Sequence, residues 1–315
     1  MSVAAPTGAP EVAPWMVAAE GTCEAVAAGK RKAKGGRARK PGPAQAKPMG
    51  LGRAAASAVR TSFGRFCWYD LATTDVPGSL RFYGELLGWT IRSTDMGPMG
   101  AYHVVSADGA EFAGVMPIAS RETPPCWLGH VGVPDIRVAC TEAANAKGSI
   151  HRPPTSIPGA GGFAVISDPT GGVVAPIQLG GPPPRDLAAA SVPGLPAWNE
   201  LVTADPALAG AFYARVFGWT IHPIELTGSP YWIFRHKGDD VAGMIEAPAS
   251  PVPDPASWMV YFHVADADAV AEKVAKLGGA VLIPPFDVAT VGRCALIADP
   301  VGVTFRIVRP EPEEE

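Results

Sequence analysis

With 315 residues, 47% of them apolar and 18% charged, the chain is long enough to bury two ordinary cores. No run of about eighteen apolar residues suggests a membrane span, and the N-terminus lacks a secretory pattern, because its positive charges follow a weakly apolar stretch instead of leading it. The net charge of −4 is unevenly spread: residues 1–60 hold ten Lys or Arg against three acids, a net +7, which leaves the rest of the chain at −11.

Those first residues are mostly Ala, Gly, Pro and charge. They have too little apolar surface to offset the entropy of ordering, and a disordered tail over 1–61 is expected. Its basic cluster attracts phosphates in principle. No aromatic residue is interleaved from Lys30 to Arg60 to stack bases, so nucleic-acid binding is not expected. Five cysteines, odd in number and without a C-x-x-C pair, read as reduced thiols in a cytoplasm, with Cys67 and Cys294 as small core residues on strands.

From Arg65 the pattern becomes regular. A strand over 65–71 leads to Asp75, which can cap a helix whose Leu80, Tyr83 and Leu87 share a face, and Gly88 ends that helix. Short strands follow at 90–93, 102–107 and 112–117, then a strand over 127–133, a helix from Asp135 ending at Gly148, and strands near Ile150, over 163–167 and over 173–179. From Trp198 the chain repeats itself. Trp198-Asn199-Glu200-Leu201 answers Trp68-Tyr69-Asp70-Leu71, Gly218-Trp219 answers Gly88-Trp89, Trp258 answers Trp127, and Asp299-Pro300 answers Asp168-Pro169. The predicted organisation is a first domain over 62–181, a Pro-rich linker over 182–194, a second domain over 195–311 and a short acidic tail over 312–315.

The Asp–x6–Phe-Tyr–x4–Gly-Trp runs starting at Asp75 and Asp205, the Trp127 and Trp258 strands and the Asp-Pro-x-Gly turns at Asp168 and Asp299 resemble the vicinal oxygen chelate superfamily of glyoxalases, bleomycin-resistance proteins and extradiol dioxygenases. The resemblance implies an α+β fold in which four βαβββ modules pair into two eight-stranded cups, with any ligand or divalent metal on the concave face. It also implies metal ligands on the first and last strands of each cup, which fall here on Trp68 and Ala175, and on Trp198 and Arg306. An indole, a methyl group and a guanidinium cannot coordinate a metal. On the inner strands, His130 is expected one residue off the ligand register and Glu246 on it, leaving at most one or two ligands per cup. No metal or other cofactor is therefore expected, a divalent ion being the alternative.

Strand alternation puts Asp70 on the face of Trp68 and Glu200 on that of Trp198. Both acids are candidate proton carriers. Glu200 is expected to pair with Arg306, while Asp70 lacks an evident partner. Trp68 and Trp198 are candidate aromatic platforms, Tyr261 a candidate neighbour of the ligand, and Arg293 a cation within reach of a cup mouth. The function expected is binding of a small planar metabolite or antibiotic, for sequestration or to assist a partner enzyme; the alternative is a lyase, isomerase or oxygenase using Asp70 or Glu200. Internal duplication makes a monomer the expected state.

Overall fold

This computed structural model describes residues 62–95, 101–118, 124–157, 161–181, 192–247 and 256–311. The expectations for the basic tail, most of the linker and the acidic C-terminus lie outside the described residues. The first copy runs β1 (Phe66–Thr73), α1 (Val76–Leu87), β2 (Thr90–Asp95), β3 (Ala101–Ala107), β4 (Ala110–Pro117), β5 (Cys126–Gly132), α2 (Ile136–Asn145), β6 (Ser149–Ile157), β7 (Gly161–Ser167) and β8 (Val173–Leu179). The second runs β9 (Pro196–Thr203), α3 (Pro206–Phe217), β10 (Thr220–Leu226), β11 (Ser229–His236), β12 (Asp239–Glu246), β13 (Ser257–His263), α4 (Ala267–Val274), β14 (Ala280–Val288), β15 (Gly292–Ala298) and β16 (Thr304–Pro310).

Each helix starts at an aspartate that accepts backbone N–H groups of its first turn: Asp75 from Gly78, Asp135 from Arg137 and Val138, Asp205 from Leu208 and Asp266 from Ala269. The first helix of each copy stops at a left-handed glycine, Gly88 (φ 72°) or Gly218 (φ 69°), a conformation that costs glycine nothing.

Each copy forms one eight-stranded sheet, in the order β2-β3-β4-β1-β5-β8-β7-β6 and β10-β11-β12-β9-β13-β16-β15-β14. Within a sheet the two modules join where their first strands run antiparallel, with Trp68 opposite His130 and Trp198 opposite Tyr261. Parallel pairs flank this seam, β1 with β4 and β5 with β8 in the first copy. The outer faces of the two sheets pack against one another around the helices. One core joins Tyr69, Leu71, Tyr83 and Trp89 of the first copy to Phe262, Ile297 and Phe305 of the second. The other joins Val131, Ile136 and Ile166 to Leu201, Phe212, Tyr213 and Trp219. Each core thus draws on both copies, and the concave faces turn away from the shared interior.

Candidate functional site

Alternation along β1 and β9 decides what lies on each cup floor. Tyr69 and Leu71 enter the shared core, as does Leu201, so Trp68, Asp70, Trp198 and Glu200 face the concavities. The same alternation turns His130 and Tyr261 inward, each opposite a floor tryptophan.

In the first cup the floor is a hydrogen-bonded chain. The Trp68 indole Nε1 donates to the Tyr102 hydroxyl (2.9 Å), which donates to Asp70 Oδ1 (2.6 Å). His130 Nε2 lies 2.8 Å from Asp70 Oδ2. A carboxylate only accepts, so Nε2 carries the proton in this pair. Desolvation, and next to it the Asp70 charge, push the Tyr102 phenol far above its ordinary value and keep it a donor. The Tyr102 hydroxyl passes so close to Gly114 on β4 that a Cβ there would collide with it. His130 is 2% exposed while the Asp70 side chain keeps 10%, so the carboxylate is the more accessible group of the pair. The His130 ring also neighbours Phe163 of β7, at 5.9 Å between centroids.

The second cup repeats the chain with different ends. Trp198 Nε1 donates to Tyr231 (3.0 Å), and the Tyr231 and Tyr261 hydroxyls both bond Glu200, the latter at 2.9 Å. Arg306, 8% exposed, reaches within 3.9 Å of Glu200 and sits 5.4 Å from the centre of the Tyr261 ring. Burial, above all, holds both tyrosines well above the usual phenol range. This concavity also holds a buried apolar cluster of Met259, Tyr261, Ile283, Cys294, Leu296 and Val308. At the matching positions of the first cup, Leu128, Phe163 and Val165 are only partly buried and form no such cluster.

Several expectations need correction. Asp70 has two partners, Tyr102 and His130, because His130 is on the inner register and not one residue off it. Glu246 is exposed and shares its face with Met244, a residue of the shared core, so it points away from the second cup. Arg293 stays outside the cup as well: its neighbour Cys294 points inward, and its guanidinium is held by Asp268 (2.5 and 2.8 Å) and Asp287 (3.1 Å). The repeat tryptophans Trp89 and Trp219 lie in the cores, Trp89 donating to the Gly194 carbonyl just before the second copy (2.8 Å) and Trp219 to the Gly64 carbonyl of the first (2.7 Å). Sequence reasoning missed Tyr102, Tyr231 and Phe163. The two tyrosines occupy matching places in the repeat, a signal that was available; Phe163 aligns with Cys294 and carries no such mark.

The donor chemistry does not fit the divalent ion that the resemblance implies. The floor positions bear Trp68, Gly114 and Ala175 around a single imidazole, and Trp198, Gly243 and Arg306 around Tyr261. Among the described residues no three His, Cys, Asp or Glu side chains gather closely enough to hold a metal. Cys67 and Cys294 are also poor ligands or nucleophiles, since burial pushes both thiols up to about 12.

Two paired-module sheets with polar groups on their concave floors define a tandem protein of the vicinal oxygen chelate type. The chain belongs to the glyoxalase/bleomycin-resistance/dioxygenase superfamily: residues 65–175 match the family described as "Glyoxalase/Bleomycin resistance protein/Dioxygenase superfamily", and residues 199–308 the one described as "Glyoxalase-like domain". It is 35% identical over 254 residues to the Mycobacterium bovis protein named "Putative glyoxylase CFP32", covering 78% of this chain and 95% of that one. It is 38% identical over 130 residues to "Anthracycline biosynthesis protein DnrV" of Streptomyces peucetius, covering 37% of this chain and 47% of that protein. Among solved structures it resembles the Mn(II)-bound glyoxalase of Novosphingobium aromaticivorans, with a TM-score of 0.53 and 13% identity over 80% of this chain and 86% of that one. The 2,2',3-trihydroxybiphenyl 1,2-dioxygenase of Sphingomonas wittichii gives 0.54 and 14% over 78% and 90%. At these identities the solved structures establish the shared fold alone.

Proposed function

We propose that the first cup is the working site of a metal-independent protein that binds a small planar molecule over Trp68, with Asp70 as the group meeting the ligand's polar edge. The observation that carries this is the difference between the two floors. Glu200 is paired with a buried arginine among buried apolar side chains, whereas among the described residues Asp70 is bonded by the Tyr102 hydroxyl and the His130 imidazole and by no arginine, in a cup whose matching apolar residues Leu128, Phe163 and Val165 are only partly buried. An indole beside a partly exposed carboxylate suits a flat ligand bearing a hydroxyl or N–H donor. The name of the Streptomyces relative points in the same direction, because an anthracycline is a planar polycyclic quinone.

The test is titration of 1,4-dihydroxyanthraquinone by calorimetry, beside elemental analysis of protein prepared without a metal-affinity tag. Saturable binding that is lost in Trp68→Ala and Asp70→Asn and kept in Trp198→Phe is the expected result. Binding indifferent to Trp68 and Asp70, or near-stoichiometric Zn, Ni, Mn or Fe retained after desalting, overturns the reading.

A second reading is catalytic. The 2.8 Å contact of Asp70 with His130 places a proton carrier beside the carboxylate, an arrangement suited to moving a proton on a bound ligand. Exchange of ligand C–H for deuterium, abolished in Asp70→Asn, would favour it over simple sequestration.

A further inference from the structure

The first cup carries at its wall a cation that the second lacks there. Arg152 on the edge strand β6 is exposed, and its guanidinium carbon stands 5.3 Å from the centre of the Phe163 ring, whose other aromatic neighbour is His130. Arg152 lies opposite Val165, and Phe163 opposite Ile177 on β8, so both belong to the strands that wall the first cup. Among the described residues Arg152 faces no carboxylate. Arg92, Arg215, Arg235, Arg293 and Arg306 each do, while the exposed Arg81, Arg137 and Arg309 also show no ion pair among the described residues; among the described arginines, Arg152 and Arg306 are the two that lie over an aromatic ring. What distinguishes Arg152 is its place over an aromatic ring at a cup wall, with no carboxylate beside it among the described residues.

The repeat shows that this is a substitution between cups and not a feature of the fold. Ile283, opposite Leu296, stands where Arg152 stands, and Cys294, opposite Val308, stands where Phe163 stands. The second cup therefore has its cation on the floor, spent on Glu200, and an apolar wall. The first has an acid on its floor and a cation over an aromatic ring at its wall.

We propose that Arg152 is the specificity residue of the first cup and that its ligand is a planar hydroxylated aromatic acid, whose hydroxyl meets Asp70 and whose carboxylate is taken by the Arg152 guanidinium. This rests on the ligand-cup reading above. A guanidinium offers paired N–H donors that match a carboxylate, and its place over the Phe163 ring restrains it before the ligand arrives, which reduces the entropy lost on binding. An acid on the floor would repel the same carboxylate, so the two ends of the cup orient the ligand as well as select it.

The experiment compares 6-hydroxy-2-naphthoate with its neutral amide by calorimetry in wild type, Arg152→Gln, Arg152→Lys and Arg293→Gln. The acid is expected to bind wild type about tenfold more tightly than the amide, a difference of about 1.4 kcal/mol. Arg152→Gln brings the ratio to within about twofold, Arg152→Lys restores part of it, and Arg293→Gln, which removes the same charge outside the cup, keeps it. Equal affinities in wild type, or an acid preference that survives Arg152→Gln, overturn the assignment while Trp68-dependent binding of both compounds leaves the ligand cup standing. Failure of both compounds and of the anthraquinone to bind overturns the cup reading and this inference together.

Discussion

His263 sits on the inner face of β13, 3% exposed, with its Nδ1 buried and unpartnered among the described residues. Burial lowers its pKa from 6.5 to about 4. The unfolded chain therefore takes up a proton near pH 6.5 that the folded chain refuses until about pH 4, so stability present above pH 6.5 is lost as the pH falls through this window. The loss at pH 5 is on the order of 2 kcal/mol relative to pH 7.5. Urea denaturation at the two pH values should show it, with a shallower dependence in His263→Gln; His236, also lowered chiefly by burial, keeps part of the slope. Tyr213 offers a second test. Its hydroxyl donates to Asp168 (2.6 Å) and accepts from Trp258 (2.8 Å), whereas the equivalent Tyr83 reaches Asp299 at 3.3 Å and Trp127 at 3.0 Å. Tyr213→Phe strips a buried carboxylate of a short bond and should cost about 2–3 kcal/mol, with Tyr83→Phe nearer 1 kcal/mol. Equal losses in urea denaturation would contradict this. At this scale alternation from a recognisable strand disclosed Asp70 and Glu200, and the family resemblance pointed to Arg306. It hid the tyrosines that join them, because those come from β3 and β11, whose register depends on turns and bulges that no periodicity reports.

The elements were far more legible than their contacts. Aspartate caps, left-handed glycines and Trp-bearing strands each act within a few residues, so local chemistry sufficed to place them. The strand β6 was visible only around Ile150, because Pro153 and Pro154 break the alternation. It is the last strand of its sheet, where a proline removes no ladder bond and discourages further pairing, and Pro284-Pro285 on β14 repeat the device. Two glycines separate helix termination from site construction. Gly218→Ala strains a φ of 69° at the end of α3 with open space around the new methyl, and should cost about 1 kcal/mol. Gly243→Ala puts a Cβ onto the Tyr231 hydroxyl and against the Trp198 indole, displacing the ring that bonds Glu200. It should cost about 3 kcal/mol or more, by overpacking and by loss of a buried hydrogen bond. Denaturant midpoints that rank the two variants in the opposite order would show that the tyrosine can move aside.

Across the whole molecule, the duplication is also the device that completes each half. Tyr83 of the first copy bonds the Asp299 turn of the second, and Tyr213 of the second bonds the Asp168 turn of the first. Trp219 crosses to Gly64 of the first copy, Trp89 bonds Gly194 at the entry to the second, and Asn199 donates to the Tyr69 hydroxyl at 2.8 Å between the sheets. The sequence displayed the repeat plainly but not this exchange, since nothing in a chain says which copy receives a given side chain. A fragment holding residues 62–181 alone would leave Tyr69, Leu71, Trp89, Phe112 and Trp127 without the second copy's Phe262, Ile297 and Phe305. Exposing a face of that kind to water is unfavourable by about 25 cal/mol for each Å², a loss that a domain of marginal stability cannot absorb. The fragment should therefore aggregate or self-associate when expressed by itself. Co-expressed with residues 192–315, it should form a one-to-one complex that unfolds in a single transition, because both cores are shared. Analytical ultracentrifugation decides the matter: a monomeric fragment with its own cooperative transition would mean that each copy closes its core unaided and that the cross-copy bonds only fix orientation.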